Sequence, residues 1–400
     1  MKVEPWLSRD QRKREFYGQD PYFWEGMTSF QAVLSRQPAV HGQPAGHGQP
    51  ADQSPAAGHS PPAEAALRSL TFLLVKPEAI VGRRVTPILD YLQARGFCVT
   101  GTWPLLLGRH AVRALWQYQI NAVPVAHIRA LEMIVRAGQL YLVGLYHPPD
   151  GGRSGAAELL SRCKGSSADP AGGDSLRDAL GRPALMLNFV HAPDEPADVL
   201  RELAVLCEPP LQQQILAAML AARQWPAARF GGAASAARQI MTAQYAHCPA
   251  HDLDATATLQ RMRARLRDGH AGRLSPAACA AIERGGVSPE QAMEVVSSLD
   301  AVQDCAAWER TAMESAAWDG KPQVSATQIR APQVSIAPQV SIAPQVSTAA
   351  QVSTVRGRAA GLLRWDLIVT AVVMADGLRT GQHPLIGPPP APQWEQPSDG

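Results

Sequence analysis

Ser69-Leu70-Thr71-Phe72-Leu73-Leu74-Val75 is a continuous apolar run, stopped by Lys76-Pro77. A short apolar run ended by a proline, which cannot donate to a ladder, reads as a buried strand. Downstream, Ile88, Leu89 and Leu92 recur at helical spacing between Val85 and Arg95, and Gly96 marks the stop. The segment from Phe97 to Leu107 reads as a second strand. The segments Arg109 to Tyr118 and His127 to Ala137 read as helices, the latter ended by Gly138. The segment from Gln139 to Tyr146 (QLYLVGLY) reads as a third strand. A long Gly-, Ser-, Asp- and Pro-rich loop is expected from His147 to Ser175, a length that usually signals function. Ala184 to Val190 (ALMLNFV) reads as a fourth strand with His191 at its end, and Glu195 to Leu206 as a closing helix. This order is the split βαβ, ferredoxin-like plan of the α+β class. It predicts an antiparallel sheet covered on one face by helices.

The flanks divide by composition. Residues 1–67 read as an N-terminal arm followed by a Pro/Gly-rich linker in which HGQPA repeats, and residues 68–206 as the sheet domain. The linker is too poor in apolar side chains to offset its ordering entropy, and its His41, His47 and His59 read as solvated spacers. Residues 207–320 predict an all-helical region. Ser275-Pro276 and Ser288-Pro289-Glu290-Gln291 are helix starts there, and Arg261, Arg263, Arg265 and Arg267 read as a solvated helix surface. His247, Cys248 and His251 have a loose metal-like spacing without a fourth ligand, so they read as a helix-to-loop junction. Residues 321–358 carry the six-residue repeat APQVSI, read as a low-complexity tether. Residues 359–400 read as one short helix and a Pro-rich tail.

Bulk properties narrow the class. The chain has 400 residues, 46% of them hydrophobic, and a formal charge of +2. That length implies more than one domain, and so small a net charge gives no field for general nucleic-acid binding. The six cysteines form no CxxC pair, which fits buried thiols in a reducing compartment rather than a disulfide framework or zinc ribbon. The start lacks an apolar stretch after its charges, and the apolar segment at 367–375 is too short to span a bilayer. A cytoplasmic protein without a membrane partner is the expectation.

The chemistry-bearing stretch is Asn188-Phe189-Val190-His191-Ala192-Pro193-Asp194, followed by Glu202 on the next helix. A histidine just past an apolar strand stands at the rim of a sheet. Its neutral imidazole is a nucleophile if one ring nitrogen is free and an acceptor fixes the other. Glu202 has the reach to be that acceptor. No Walker loop occurs, so P-loop chemistry is excluded.

These residues resemble the nucleoside diphosphate kinase family. LTFLLVKPEAI looks like the opening strand of that family, which usually ends in Lys-Pro-Asp. NFVHAPD resembles its Asn-x-(Ile/Val)-His-Gly-Ser-Asp motif, and GSSADPAGGDSLRD resembles the segment between them. The resemblance implies a phosphotransferase that moves the γ-phosphate of ATP to a nucleoside diphosphate through a phosphohistidine at His191. By the same resemblance Glu202 orients His191, Lys76 contacts the transferred phosphate, and Arg177 and Arg162 bind phosphate. Asn188 contacts the nucleotide sugar and Tyr118 packs beside the histidine. Mg²⁺ is carried mainly on the nucleotide phosphates, so no carboxylate cluster for metal is required. Nucleoside di- and triphosphates are the implied ligands, and the family usually assembles as hexamers or tetramers. Departures are visible. Ala192-Pro193 replaces Gly-Ser, removing a hydroxyl and a backbone donor. Val125 falls near the base-stacking phenylalanine, and Ser167 or Ala168 near the phosphate-binding threonine. They leave open a phosphotransferase with a non-nucleotide acceptor, or a catalytically weak nucleotide-binding or scaffold module.

Overall fold

A computed structural model describes residues 2–37, 61–148, 154–166, 173–269, 274–286, 288–303 and 364–376. Asp10 and Asp20 cap the first two helices, α1 (Gln11–Tyr17) and α2 (Pro21–Leu34), Asp10 accepting the N–H groups of Arg12 and Lys13 and Asp20 that of Tyr22. A short helix α3 (Pro61–Arg68) leads into β1 (Leu70–Val75), and Pro77 opens α4 (Pro77–Val81). Helix α5 (Val85–Ala94) ends before Gly96, whose φ of 79° is the left-handed turn that glycine tolerates. Strand β2 (Cys98–Leu105), helices α6 (Arg109–Leu115) and α7 (Val125–Val135), and strand β3 (Leu140–Tyr146) follow. Then come α8 (Ala156–Lys164), α9 (Leu176–Ala179), β4 (Val190–His191) and α10 (Pro196–Leu206). The remaining helices are α11 (Pro209–Ala222), α12 (Ala227–Ala243), α13 (Ala255–Arg267), α14 (Pro276–Arg284), α15 (Pro289–Gln303) and α16 (364–376).

The four strands form one antiparallel sheet in the order β2-β3-β1-β4. Pro104 sits on the edge strand β2, where a missing ladder donor is tolerated. Side chains alternate with period two. Leu70, Phe72 and Leu74 of β1 join Leu140 and Leu142 of β3 in one core, and Leu73, Val75, Tyr141 and Val143 join the other. At the opposite edge, Leu74 pairs with His191 and Val75 with Val190.

Several expectations change. Both faces of the sheet are covered, not one. Phe23, Phe30 and Val33 of the arm, with α10 and α11, bury the Phe72 face, while α5, α7 and the helical region bury the Val143 face. The segment 147–175 is not loop throughout, because Ala156–Lys164 is helical, with Glu158 accepting the Gly155 N–H at its start. The fourth strand is confined to Val190–His191, because Phe189 takes a φ of 68° and breaks the extended run. Asn188 instead turns back to donate to the Leu185 carbonyl. The predicted helix near the C-terminal end exists at 364–376 but is buried. Trp365, Ile368, Val369 and Val372 share a core with α7 and with α12 through α15. The helical region is therefore joined to the sheet by continuous apolar packing. The arginines read as solvated turn inward in part. Arg261 and Arg265 reach Asp366 of α16, and Arg263 donates to the Ile282 carbonyl. The linker histidines and the APQVSI repeats lie outside the described residues. Among the described residues no helix is long and apolar enough to cross a membrane, and the five described cysteines are free thiols.

Candidate functional site

His191 owes its position to a strained residue two places earlier. Phe189 has a positive φ, which a bulky side chain adopts only when its surroundings impose it. Here its N–H donates to Glu78 Oε1 at 3.2 Å, its carbonyl accepts the Lys76 N–H at 2.9 Å, and its ring is buried. This clamp turns the chain into β4 and fixes the backbone of His191 at the sheet edge. Glu202, on α10, meets the ring at 2.8 Å between Oε2 and Nε2. A carboxylate only accepts, so Nε2 carries the hydrogen and Nδ1 keeps the lone pair. Trp116 packs edge-on against the imidazole at 5.3 Å between ring centres.

Around His191 lies a cavity of about 390 Å³, a volume suited to a small organic ligand. It is lined by the aliphatic Ile120, Val123, Ile128 and Leu131, by aromatic rings including Trp116, and by the cations Lys76, Lys164 and Arg177. Each of these cations is held by the protein. Lys76 donates to Glu78 Oε1 at 2.6 Å and to the Met186 carbonyl at 3.1 Å. Burial pushes its ammonium below the ordinary lysine value, and the Glu78 charge opposes that. Arg177 donates to the carbonyls of Gly165 and Val190, at 2.8 and 3.1 Å. Burial, assisted by Arg182, brings its guanidinium down to about 10. Lys164 donates to the Ala192 carbonyl and to Asp194 Oδ1, both at 3.0 Å. Burial alone would raise Asp194, but the Lys164 charge and the Ser161 hydroxyl hold it below the usual carboxylate range.

The N-terminal arm completes the wall. Lys13 and Tyr17 of α1 line the cavity. Lys13 bonds Glu195 and Asp198 at 3.1 and 2.8 Å, and Tyr17 donates to Asp198 at 2.5 Å. Asp20 accepts from Tyr118 and from Arg201 Nε, at 2.8 and 2.6 Å. The Tyr118 hydroxyl is pushed up to about 12 by burial and by the Asp20 charge.

His191, Glu202, Lys76, Arg177, Asn188 and Tyr118 all line this one cavity. Arg162 does not. It is exposed on the outer face of α8 and borders a separate depression with Arg95 and Asp174. Tyr118 is near the site, but the ring against His191 belongs to Trp116. Sequence reading missed Lys164, Trp116, Lys13 and Tyr17. The loop reading of 147–175 hid Lys164, and nothing local in the arm shows where it docks. Val125 is an exposed residue, while Ser167 and Ala168 lie outside the described residues. His251 lies apart from this cavity and bonds Asp366 at 3.0 Å, and the Cys248 carbonyl accepts from Arg83.

No cluster of three metal-ligating side chains occurs among the described residues. Asp194, Asp198 and Glu202 are each bonded to protein donors. Comparison with known proteins finds no family model that matches the chain and no matching curated protein.

Proposed function

We propose that this chain is a nucleoside diphosphate kinase-like phosphotransferase that carries the γ-phosphoryl group of ATP on His191 and passes it to a nucleoside diphosphate. The observation that carries this reading is the His191–Glu202 pair. It fixes Nε2 and, in the neutral ring, leaves Nδ1 as the unbonded nitrogen of a histidine that lines a cavity with buried cations. In the first half-reaction the Nδ1 lone pair forms the N–P bond. The bond from phosphorus to the β–γ bridging oxygen breaks, its electrons remain on that oxygen, and ADP leaves. In the second half-reaction a terminal oxygen of the acceptor diphosphate attacks the phosphorus, and the N–P bond electrons return to Nδ1. Lys76 and Arg177 stabilise charge on the equatorial oxygens, and Glu202 balances the charge developing on the ring. Mg²⁺, when bound with the nucleotide, supplies further neutralisation of the phosphates. The strand order β2-β3-β1-β4, antiparallel throughout, supports a ferredoxin-like split βαβ assignment for residues 68–206.

Two features favour narrower variants. Val125, near the position of the family's base-stacking phenylalanine, is exposed and does not line the cavity, which favours a phosphotransferase with a non-nucleotide acceptor. The ion pair between Lys76 and Glu78 already neutralises one phosphate-facing cation, which favours a catalytically weak nucleotide-binding or scaffold module. Incubation with γ-labelled ATP separates these readings. Transfer through His191 predicts acid-labile, alkali-stable label in the native chain and none in His191→Ala. Label that survives in His191→Ala removes the proposal, and an unlabelled native chain leaves the scaffold reading.

A further inference from the structure

Two cations hold the backbone on either side of His191. Arg177 Nη2 donates to the carbonyl of Val190, the residue before it, and Lys164 Nζ donates to the carbonyl of Ala192, the residue after it. Both side chains line the cavity that contains the imidazole. Neither has spent all of its donors. An ammonium has three N–H groups, and the Ala192 carbonyl and Asp194 occupy two of those on Lys164. Arg177 Nε is buried and has no hydrogen-bond partner. A cavity lined by two buried cations, one of them an ammonium with an N–H still to spend, is a site for an anion, since an unmet donor costs free energy until an acceptor arrives.

We infer that Lys164 and Arg177 are a phosphate-contacting pair that brackets His191, with Asp194 positioning the Lys164 ammonium. Lys164 thereby takes the part that resemblance had given to Arg162. The inference rests on the phosphotransferase reading for its purpose, but the anion site itself does not require transfer. The ligand class is a polyphosphate. Its terminal group sits between the two cations, and its other phosphates extend toward Lys76. Arg162, on the exposed face of α8, takes no part.

Calorimetric titration with inorganic tripolyphosphate tests this in the full chain carrying His191→Asn, which binds without transfer. Lys164→Gln is expected to weaken binding about tenfold or more, Lys164→Arg to retain most of it, and Arg162→Gln to leave it unchanged. Equal binding by Lys164→Gln and its parent, an equal loss in Arg162→Gln, or no binding by the parent overturns the inference. If Lys164→Gln does not fold, acetylation of the native chain gives the second reading. Tripolyphosphate should shield Lys164 and not the exposed Lys2, and an unshielded Lys164 overturns the inference. Loss of tripolyphosphate binding in Lys164→Gln, together with a native chain that ATP fails to label, sinks the transfer reading and leaves the anion site standing.

Discussion

At His191 the imidazole is fixed through Nε2, so Glu202 acts on the ring's orientation and charge without touching a substrate. Glu202→Gln is expected to keep the fold and slow phosphohistidine formation roughly 10- to 100-fold, read by rapid quench with labelled ATP. Glu78 is different in kind, because it neutralises Lys76 and holds the strained Phe189 in place. Glu78→Ala strands a buried ammonium and should lower unfolding free energy by about 3–5 kcal/mol in denaturant titrations. The double variant Lys76→Met with Glu78→Leu should recover part of that stability, since the Phe189 N–H still loses its acceptor, and still fail to transfer phosphate. Asp194 gives a pH signature. Its folded value lies below the ordinary 3.8, so its contribution is complete above that value and lost as pH falls through the folded value. Its side chain is 36% exposed, so solvent screening limits the ion pair to about 1 kcal/mol. The stability gap between native chain and Asp194→Asn should persist from about pH 7 to about pH 5 and close in stronger acid. A gap that widens in acid contradicts this placement.

At the scale of elements, α10 is the part on which the site depends, and the arm sets its position. Gly26 of α2 faces α10 so closely that a Cβ there would lie 2.1 Å from the Leu200 carbonyl oxygen. Gly26→Ala must push the two helices apart, costing about 2 kcal/mol and moving Glu202 away from His191. The expected result is a lower midpoint of thermal unfolding together with slower labelling. An unchanged labelling rate would show that the arm is packing alone. The legibility of the sequence also divides at this scale. Strand β1 announced itself because both its faces are apolar, and the spacing of His191 and Glu202 gave their contact, since both sit on regular or near-regular backbone. The covering of the second face was not legible, because α2 is brought to α10 by tertiary contact across a separation that periodicity does not encode. The fourth strand was overread because an apolar run such as ALMLNFV does not reveal a positive φ at Phe189.

Over the whole molecule, apolar packing ties sheet, helical region and α16 together. The clasp of α16 is Asp366, which is buried and accepts from His251 and Arg261 at 3.0 and 2.8 Å. Asp366→Ala removes the shared acceptor, and a loss of about 2–3 kcal/mol is expected because Arg261 is partly solvated. Hydrogen exchange should show α16 amides losing protection first, and uniform protection would mean that apolar burial alone holds the helix. The transfer chemistry turns on one atom, Nδ1 of His191. After brief exposure of the native chain to ATP, phosphorus NMR under denaturing alkaline conditions distinguishes the two phosphohistidine isomers. A phosphoryl group on Nδ1 is the predicted result. A group on Nε2, the nitrogen that Glu202 occupies, or no phosphohistidine at all, contradicts it.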